Sequence, residues 1–440
     1  MLMEQVDQII HTKWILTCET DNQILADHAL VIQAGKIKAI LPTNTATQKY
    51  QAKETLHFAE HAVMPGFINS HTHLAMNLFR GLADDLALMD WLNNHIWPAE
   101  KKWVDSQFVH EASLLAMGEM IRSGTTCFND MYFFWNDTAR AAEISGMRAH
   151  IGIHIIDVPT RWGRTTAEYL EKGLSFYQEY KNHPLIGITM APHAIYTVPD
   201  HTLIELRDIA EKLDLKINMH IQESRDESIA SMEKTRLRPL KRLDDMGLVS
   251  PRLIAIHMTD ITEEDLEILA VKKPNIVHCP ESNMKLASGI APLEKFKIAG
   301  VNVALGTDGA ASNNDLDMIG EMRTAAFLAK ASTYNPTSLK ASEALQMATL
   351  NGAKALGIDT VTGSLTTGKS ADFIAIKLDE LETLPVYHPD SQIVYAASRH
   401  QVTDVFVAGR ALLRNRELIT LDEAKLKAIA NKWREKIQKL

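Results

Sequence analysis

His71-Thr72-His73 closes the apolar run Ala62-Val-Met-Pro-Gly-Phe-Ile-Asn-Ser. On an extended segment residues i and i+2 share a face, so these two imidazoles can reach one metal ion. Eighteen histidines among 440 residues give an HxH by chance about 0.7 times, so the pair gains weight only from further ligand-type residues. Those stand at the ends of similar runs: His193, His220, His257 and Asp308, with Glu223 three residues beyond His220. His71, His73, His220 and Asp308 make three imidazoles and a carboxylate, a set that suits Zn2+ or a similar divalent ion with one position left for water. Glu223 can turn back over that position and move protons without being a ligand. His257 can hydrogen-bond the attacking water or the developing centre, with metal ligation as its alternative role. Asp308 can accept a proton from the water as well as bind the metal.

Side chains so far apart in sequence need a fold that gathers strand ends. Eight β-like runs lie between residues 62 and 310: Val63–His73, Gly124–Asp130, Met147–Asp157, Leu185–His193, Lys216–Glu223, Leu253–His257, Asn275–His278 and Val301–Asp308. They are rich in Val, Ile, Ala and Phe with little alternation, as strands buried on both faces are. Helix-like stretches separate them, with Ser106, Asp200 and Thr262 as expected N-caps. Eight β/α alternations predict a parallel (β/α)8 TIM barrel over residues 62–362, whose active site forms at the C-terminal mouth. A doubly wound sheet would place a glycine-rich phosphate loop after its first strand, where HTHLAMNLFRG stands instead. The long spacing after the first run predicts an insertion over the mouth, carrying Trp91, Trp97, Glu100 and Trp103.

The chain ends read differently. Alternating runs in residues 1–61 and 363–420, with turns at Ala34-Gly35-Lys36 and Ala408-Gly409-Arg410, predict one small β-sandwich domain built from both termini. Residues 421–440 predict a helix, with Thr420 and Glu423 as a capping box and Leu426, Ile429, Trp433 and Leu440 along one stripe.

Composition bounds the possibilities. Hydrophobic content of 46% and charged content of 23% are those of a globular protein, and a formal charge of −9 argues against nucleic-acid or anionic-membrane partners. Cys18, Cys127 and Cys279 are widely spaced and form no CxxC, so a reducing compartment is expected. With no basic-then-apolar leader and no apolar run of membrane-spanning length, the expectation is a cytoplasmic protein that self-associates at most as a homo-oligomer. The two runs Met147–Asp157 and Leu185–His193 lack a lysine that could bridge two metals, so one metal per subunit is expected. His278-Cys279-Pro280 lacks the second cysteine of the small zinc deaminases. HExxH, Walker A and Rossmann signatures are absent.

With PGFINSHTH, MHIQES, AIHMT, HCPESNMKLASGIAP and LGTDGAASNN in place, the chain resembles the amidohydrolase superfamily over nearly its whole length. Within it, the chain is most similar to the deaminases of 5′-methylthioadenosine and S-adenosylhomocysteine. The resemblance implies His71, His73, His220 and Asp308 as metal ligands, Glu223 as proton shuttle, and His257 as the group on the attacked centre. It further implies that Trp91 packs on the nucleoside, Glu100 accepts from ribose hydroxyls, and His193 faces the purine. In this family arginines at the end of the third strand and in its following loop hold the homocysteine carboxylate. Here the strand reads Ile151-Gly-Ile-His-Ile-Ile-Asp, leaving Arg161 and Arg164 in the loop as candidates. The expected activity is therefore hydrolytic deamination of 5′-methylthioadenosine by metal-activated water, ahead of S-adenosylhomocysteine or adenosine. Zn2+ is the expected ion, with Fe2+ and Mn2+ as alternatives. Rival readings are deamination of guanine or cytosine, dechlorination of triazines, and a non-catalytic barrel scaffold.

Overall fold

A computed structural model describes residues 3–438. The apolar runs become two eight-stranded sheets. The first begins with β1 (Glu4–Leu16), β2 (Ile24–Gln33), β3 (Lys36–Pro42) and β4 (Tyr50–Pro65). The second holds β5 (Phe67–Thr72), β6 (Thr125–Asp130), β7 (Arg148–Ile155), β8 (Ile186–Pro192), β9 (Lys216–Ile221), β10 (Leu253–His257), β11 (Asn275–His278) and β12 (Asn302–Leu305). The chain then returns to the first sheet through β13 (Phe373–Lys377), β14 (Val402–Val407), β15 (Arg410–Arg414) and β16 (Glu417–Leu418).

Strands β5 to β12 pair in chain order and in parallel, with helices between them, as a (β/α)8 barrel requires. All residues of β5, β6 and β7 are buried, which explains their lack of alternation. The barrel ends meet without a regular ladder: Asp308 N–H donates to His71 O at 3.0 Å, and Asn69 Nδ2 donates to Thr307 Oγ1 at 2.7 Å. Gly306 permits this approach, because a Cβ there would lie 2.8 Å from both His71 N and His71 O.

The first apolar run divides between the sheets. β4 runs to Pro65 and pairs with β13, and the chain enters the barrel after Gly66, where a Cβ would collide with the Thr126 side chain. The small sheet has the order β16-β15-β14-β13-β4-β1-β2-β3, so both termini build it. Ile10, Leu30, Ile37 and Phe58 from its N-terminal strands share a core with Phe373 and Phe406. Both expected hairpins form, with Ala34 and Gly35, and Ala408 and Gly409, at positive φ.

Helix starts differ by a residue or two from expectation. Asp105 rather than Ser106 caps the helix Ser106–Arg122, its carboxylate accepting from Phe108 N. Asp200 is the first residue of its helix, after Pro199, and pairs with Arg242 instead of capping. Thr262 caps as expected, in a reciprocal box with Asp265. The C-terminal helix Glu423–Ile437 is capped by Asp422, while Thr420 donates to Ser145 O at 2.7 Å and Glu423 pairs with Arg122. Leu426 and Trp433 are buried and Ile429 packs on the core, whereas Leu440 lies outside the described residues. The insertion after β5 carries a helical stretch from Leu88 to Trp103, π-wound at Trp91–Ile96 just before Pro98, which has no N–H to donate. Among the described residues no helix is long and apolar enough to cross a membrane.

Candidate active site

The barrel mouth gathers the scattered ligand-type residues. His71 and His73 leave β5, His220 lies in β9, and Asp308 follows β12. One donor atom from each lies within 4.8 Å of the others. Asp308 Oδ1 is 3.4 Å from His71 Nε2 and 3.2 Å from His73 Nε2, and the His71 and His220 Nε2 atoms are 3.2 Å apart. Two donors on a tetrahedral zinc, each about 2.0–2.1 Å from it, stand about 3.3 Å apart. Three of the six separations in the donor set therefore match a single ion of that kind.

Hydrogen bonds behind the ligands set their orientation. His73 Nδ1 faces Met131 O at 2.6 Å, and His220 Nδ1 faces His193 O at 2.8 Å. Only an N–H can satisfy a carbonyl, so each ring keeps its Nε2 lone pair toward the cluster. Burial, followed by the neighbouring imidazoles, holds His220 well below the usual histidine range, which keeps it a neutral donor. Burial alone would raise the Asp308 carboxyl, but the His71 and His73 rings hold it well below the usual carboxylate range.

Backbone strain aims two of the site residues. His257 (φ 74°) and Asp308 (φ 62°) both occupy the left-handed region, at a cost on the order of 1–3 kcal/mol each. Asp308 is held there by its N–H on His71 O and by Thr72 Oγ1 donating to its carbonyl at 3.0 Å.

Glu223 lies just past the end of β9, with its carboxylate 3.8 Å from His257 Nε2. Burial raises its pKa. Among the described residues the Glu223 carboxylate makes no hydrogen bond, so it is free to exchange protons. His257 Nδ1 faces Asn283 Oδ1 at 2.8 Å, which turns Nε2 toward Glu223 and the cavity.

His73, Trp91, Glu100, His193, His220, Glu223, His257 and Asp308 line one cavity, and His71 lies fully buried behind it. Glu100 accepts from Tyr132 Oη at 2.7 Å, and burial pushes its carboxyl up to about 7. His193 Nδ1 faces Thr197 Oγ1 at 2.9 Å, and burial lowers the ring to about 3. Arg161 and Arg164 do not reach this cavity. They are exposed, and they line an adjoining groove that shares Trp97, Glu100, Phe133 and Ile156 with it.

Sequence reasoning assigned no role to several residues that touch the cluster. Ser282 Oγ and Ser312 Oγ donate to Asp308 Oδ2 at 2.6 and 2.9 Å, leaving Oδ1 to the histidines. Asp130, at the end of β6, accepts from Leu74 N at 2.8 Å and fixes the turn after His73. The signal was present, since Ser282 and Asn283 lie in HCPESN and Ser312 in GTDGAAS, but a hydroxyl or amide in a motif does not announce its partner.

A family model described as the amidohydrolase family matches residues 62–412. A 5-methylthioadenosine/S-adenosylhomocysteine deaminase of Saccharophagus degradans is 45% identical over 432 residues, covering 98% of this chain and 97% of that protein. A 5′-deoxyadenosine deaminase of Methanosarcina mazei is 41% identical, covering 98% of each. Among solved structures, an adenosine deaminase from Xanthomonas campestris with bound zinc superposes with a TM-score of 0.98 at 45% identity, over the whole of both chains.

Proposed function

Because the chain belongs to the amidohydrolase family, we propose that it is a metal-dependent deaminase of purine nucleosides, with 5′-methylthioadenosine as its first substrate. S-adenosylhomocysteine, 5′-deoxyadenosine and adenosine are its alternatives. The carrying observation is the convergence of His71, His73, His220 and Asp308 beside a buried Glu223 carboxylate that makes no hydrogen bond among the described residues. These four residues hold the ion. When bound, the cation acts as a Lewis acid that makes water a competent nucleophile near neutral pH.

Trp91 packs against the nucleoside, Glu100 accepts from the ribose hydroxyls, and His193 faces the purine edge. Water adds to C6 of the adenine ring. Glu223, whose pKa burial raises, takes one from the water and delivers it to N1. His257, its Nδ1 tied to Asn283, orients the water with Nε2. Asp308 accepts the second proton, and Glu223, ionised again once N1 is protonated, relays it to the exocyclic amine. The C6–N bond then breaks, and ammonia and the inosine analogue leave. Ile156 at the end of the third barrel strand supports the preference for an uncharged 5′ group, since no guanidinium stands at that point.

Zinc-loaded protein mixed with 5′-methylthioadenosine should convert it to the inosine analogue with equimolar ammonia. A panel of guanine, cytosine and chlorotriazines run alongside should be inert. Turnover of one of those with none of the nucleosides would reject the proposal.

A further inference from the structure

Glu223 must pick up and release protons during turnover, so its carboxylate cannot be locked by hydrogen bonds of its own. The structure locks its backbone instead. The chain turns out of β9 at Gln222 (φ 49°), a conformation that needs support in a residue with a Cβ. Glu227 supplies it: Oε1 accepts Gln222 N–H at 3.1 Å and Oε2 accepts Glu223 N–H at 2.9 Å. From the other side Thr259 Oγ1 donates to Glu223 O at 2.8 Å.

An ordinary helix cap does not account for this. Ser224 and Glu227 form the S-x-x-E pattern, in which the glutamate normally reaches back to the N-cap's own N–H. Ser224 does accept from Glu227 N–H at 3.4 Å, yet the Glu227 carboxylate bypasses the Ser224 N–H and grips the two residues before it. Both of its oxygens serve the segment that carries Glu223.

We propose that Glu227, opposed by Thr259, is a positioning residue for the deamination: it fixes the Glu223 backbone so that a carboxylate without side-chain partners stays aimed between the water and the purine. This rests on the proposed function. A displacement of about 1 Å at such a group costs on the order of 100-fold in rate. In Glu227→Gln the amide nitrogen meets a backbone N–H, donor against donor, and one of the two grips is lost.

The test compares two substrates on zinc-loaded enzyme: 5′-methylthioadenosine and its 6-chloro counterpart, whose departing chloride needs no proton. Glu227→Gln should lower kcat for the amine substrate about 10- to 100-fold with KM within about threefold, and lower kcat for the chloro substrate several-fold less. Thr259→Val, which removes the opposing hydroxyl, should show the same pattern and serves if the first variant does not fold. Equal losses on the two substrates, or losses carried by KM or zinc content, would overturn the inference. Wild-type-like rates in both variants would overturn it too, with the proposed function left standing. Wild-type protein inactive on both nucleosides would overturn the proposed function and this inference with it.

Discussion

Replacing Ser282 and Ser312 by alanine should weaken metal binding without disturbing the four ligands. Both hydroxyls donate to Asp308 Oδ2, at 2.6 and 2.9 Å, and Ser282 Oγ also lies 3.0 Å from Ser312 Oγ. Those hydrogen bonds exist with or without the ion, so their own energies largely cancel from the binding equilibrium. What the variants lose is the fixed orientation that leaves Oδ1 facing His71 and His73. Outer partners of this kind are worth about 10- to 100-fold in metal affinity, or about 1.4–2.7 kcal/mol. Because the hydroxyls share one oxygen and each other, their losses are not additive. Each single variant should fall near the tenfold end and the pair between tenfold and the hundredfold that independent losses would give. Competition for zinc against a fluorescent chelator of known affinity reads the effect directly. Ser113→Ala, a buried serine in the helix Ser106–Arg122, is the control and should bind zinc as the wild type does. A double variant within about threefold of wild type, or a control that loses as much, would refute the orientation reasoning.

Glu223→Gln should cut kcat by about 10²- to 10⁴-fold while leaving Tm unchanged or raised, because the carboxylate it removes is buried and accepts no hydrogen bond; a lowered Tm by scanning fluorimetry would show a structural role instead. Ile156→Arg puts a guanidinium where the catalytic cavity meets the groove of Arg161 and Arg164, and should raise kcat/KM for S-adenosylhomocysteine relative to 5′-methylthioadenosine by about tenfold. An unchanged ratio would place the 5′ substituent elsewhere. Glu100, raised to about 7 by burial and held down in part by the Tyr132 hydroxyl, accepts ribose hydroxyls best when ionised. KM should therefore rise as pH falls through that value, and Tyr132→Phe, which removes the lowering influence, should shift the rise to higher pH. A KM profile identical in the two proteins would sink this role for Glu100.

Much of the fold was legible in the sequence because a barrel strand buried on both faces leaves an unbroken apolar run, and eight such runs occur in order. The hairpins were legible because Ala-Gly turns need positive φ. Helix caps were less so: Asp105, Pro199 and Asp422 displaced Ser106, Asp200 and Thr420, each within two residues, because a carboxylate or an adjacent partner decided among several polar candidates. The break at Gly66 was invisible, since the apolar run continues through it and only the pairing of β4 with β13 divides one sheet from the other.

By itself the sequence determined the chemistry available to this protein: imidazoles, carboxylates and their place at strand ends, because residue type and local period are written one position at a time. Which oxygen of Asp308 faces the histidines, which nitrogen of His257 faces the cavity, and what clamps Glu223 were decided only by the tertiary structure. Those are matters of direction, set by left-handed backbone turns and by hydrogen bonds, among them long-range ones such as His257 with Asn283 and Asn69 with Thr307. No local pattern encodes where such partners meet, because the closure of the barrel brings them together.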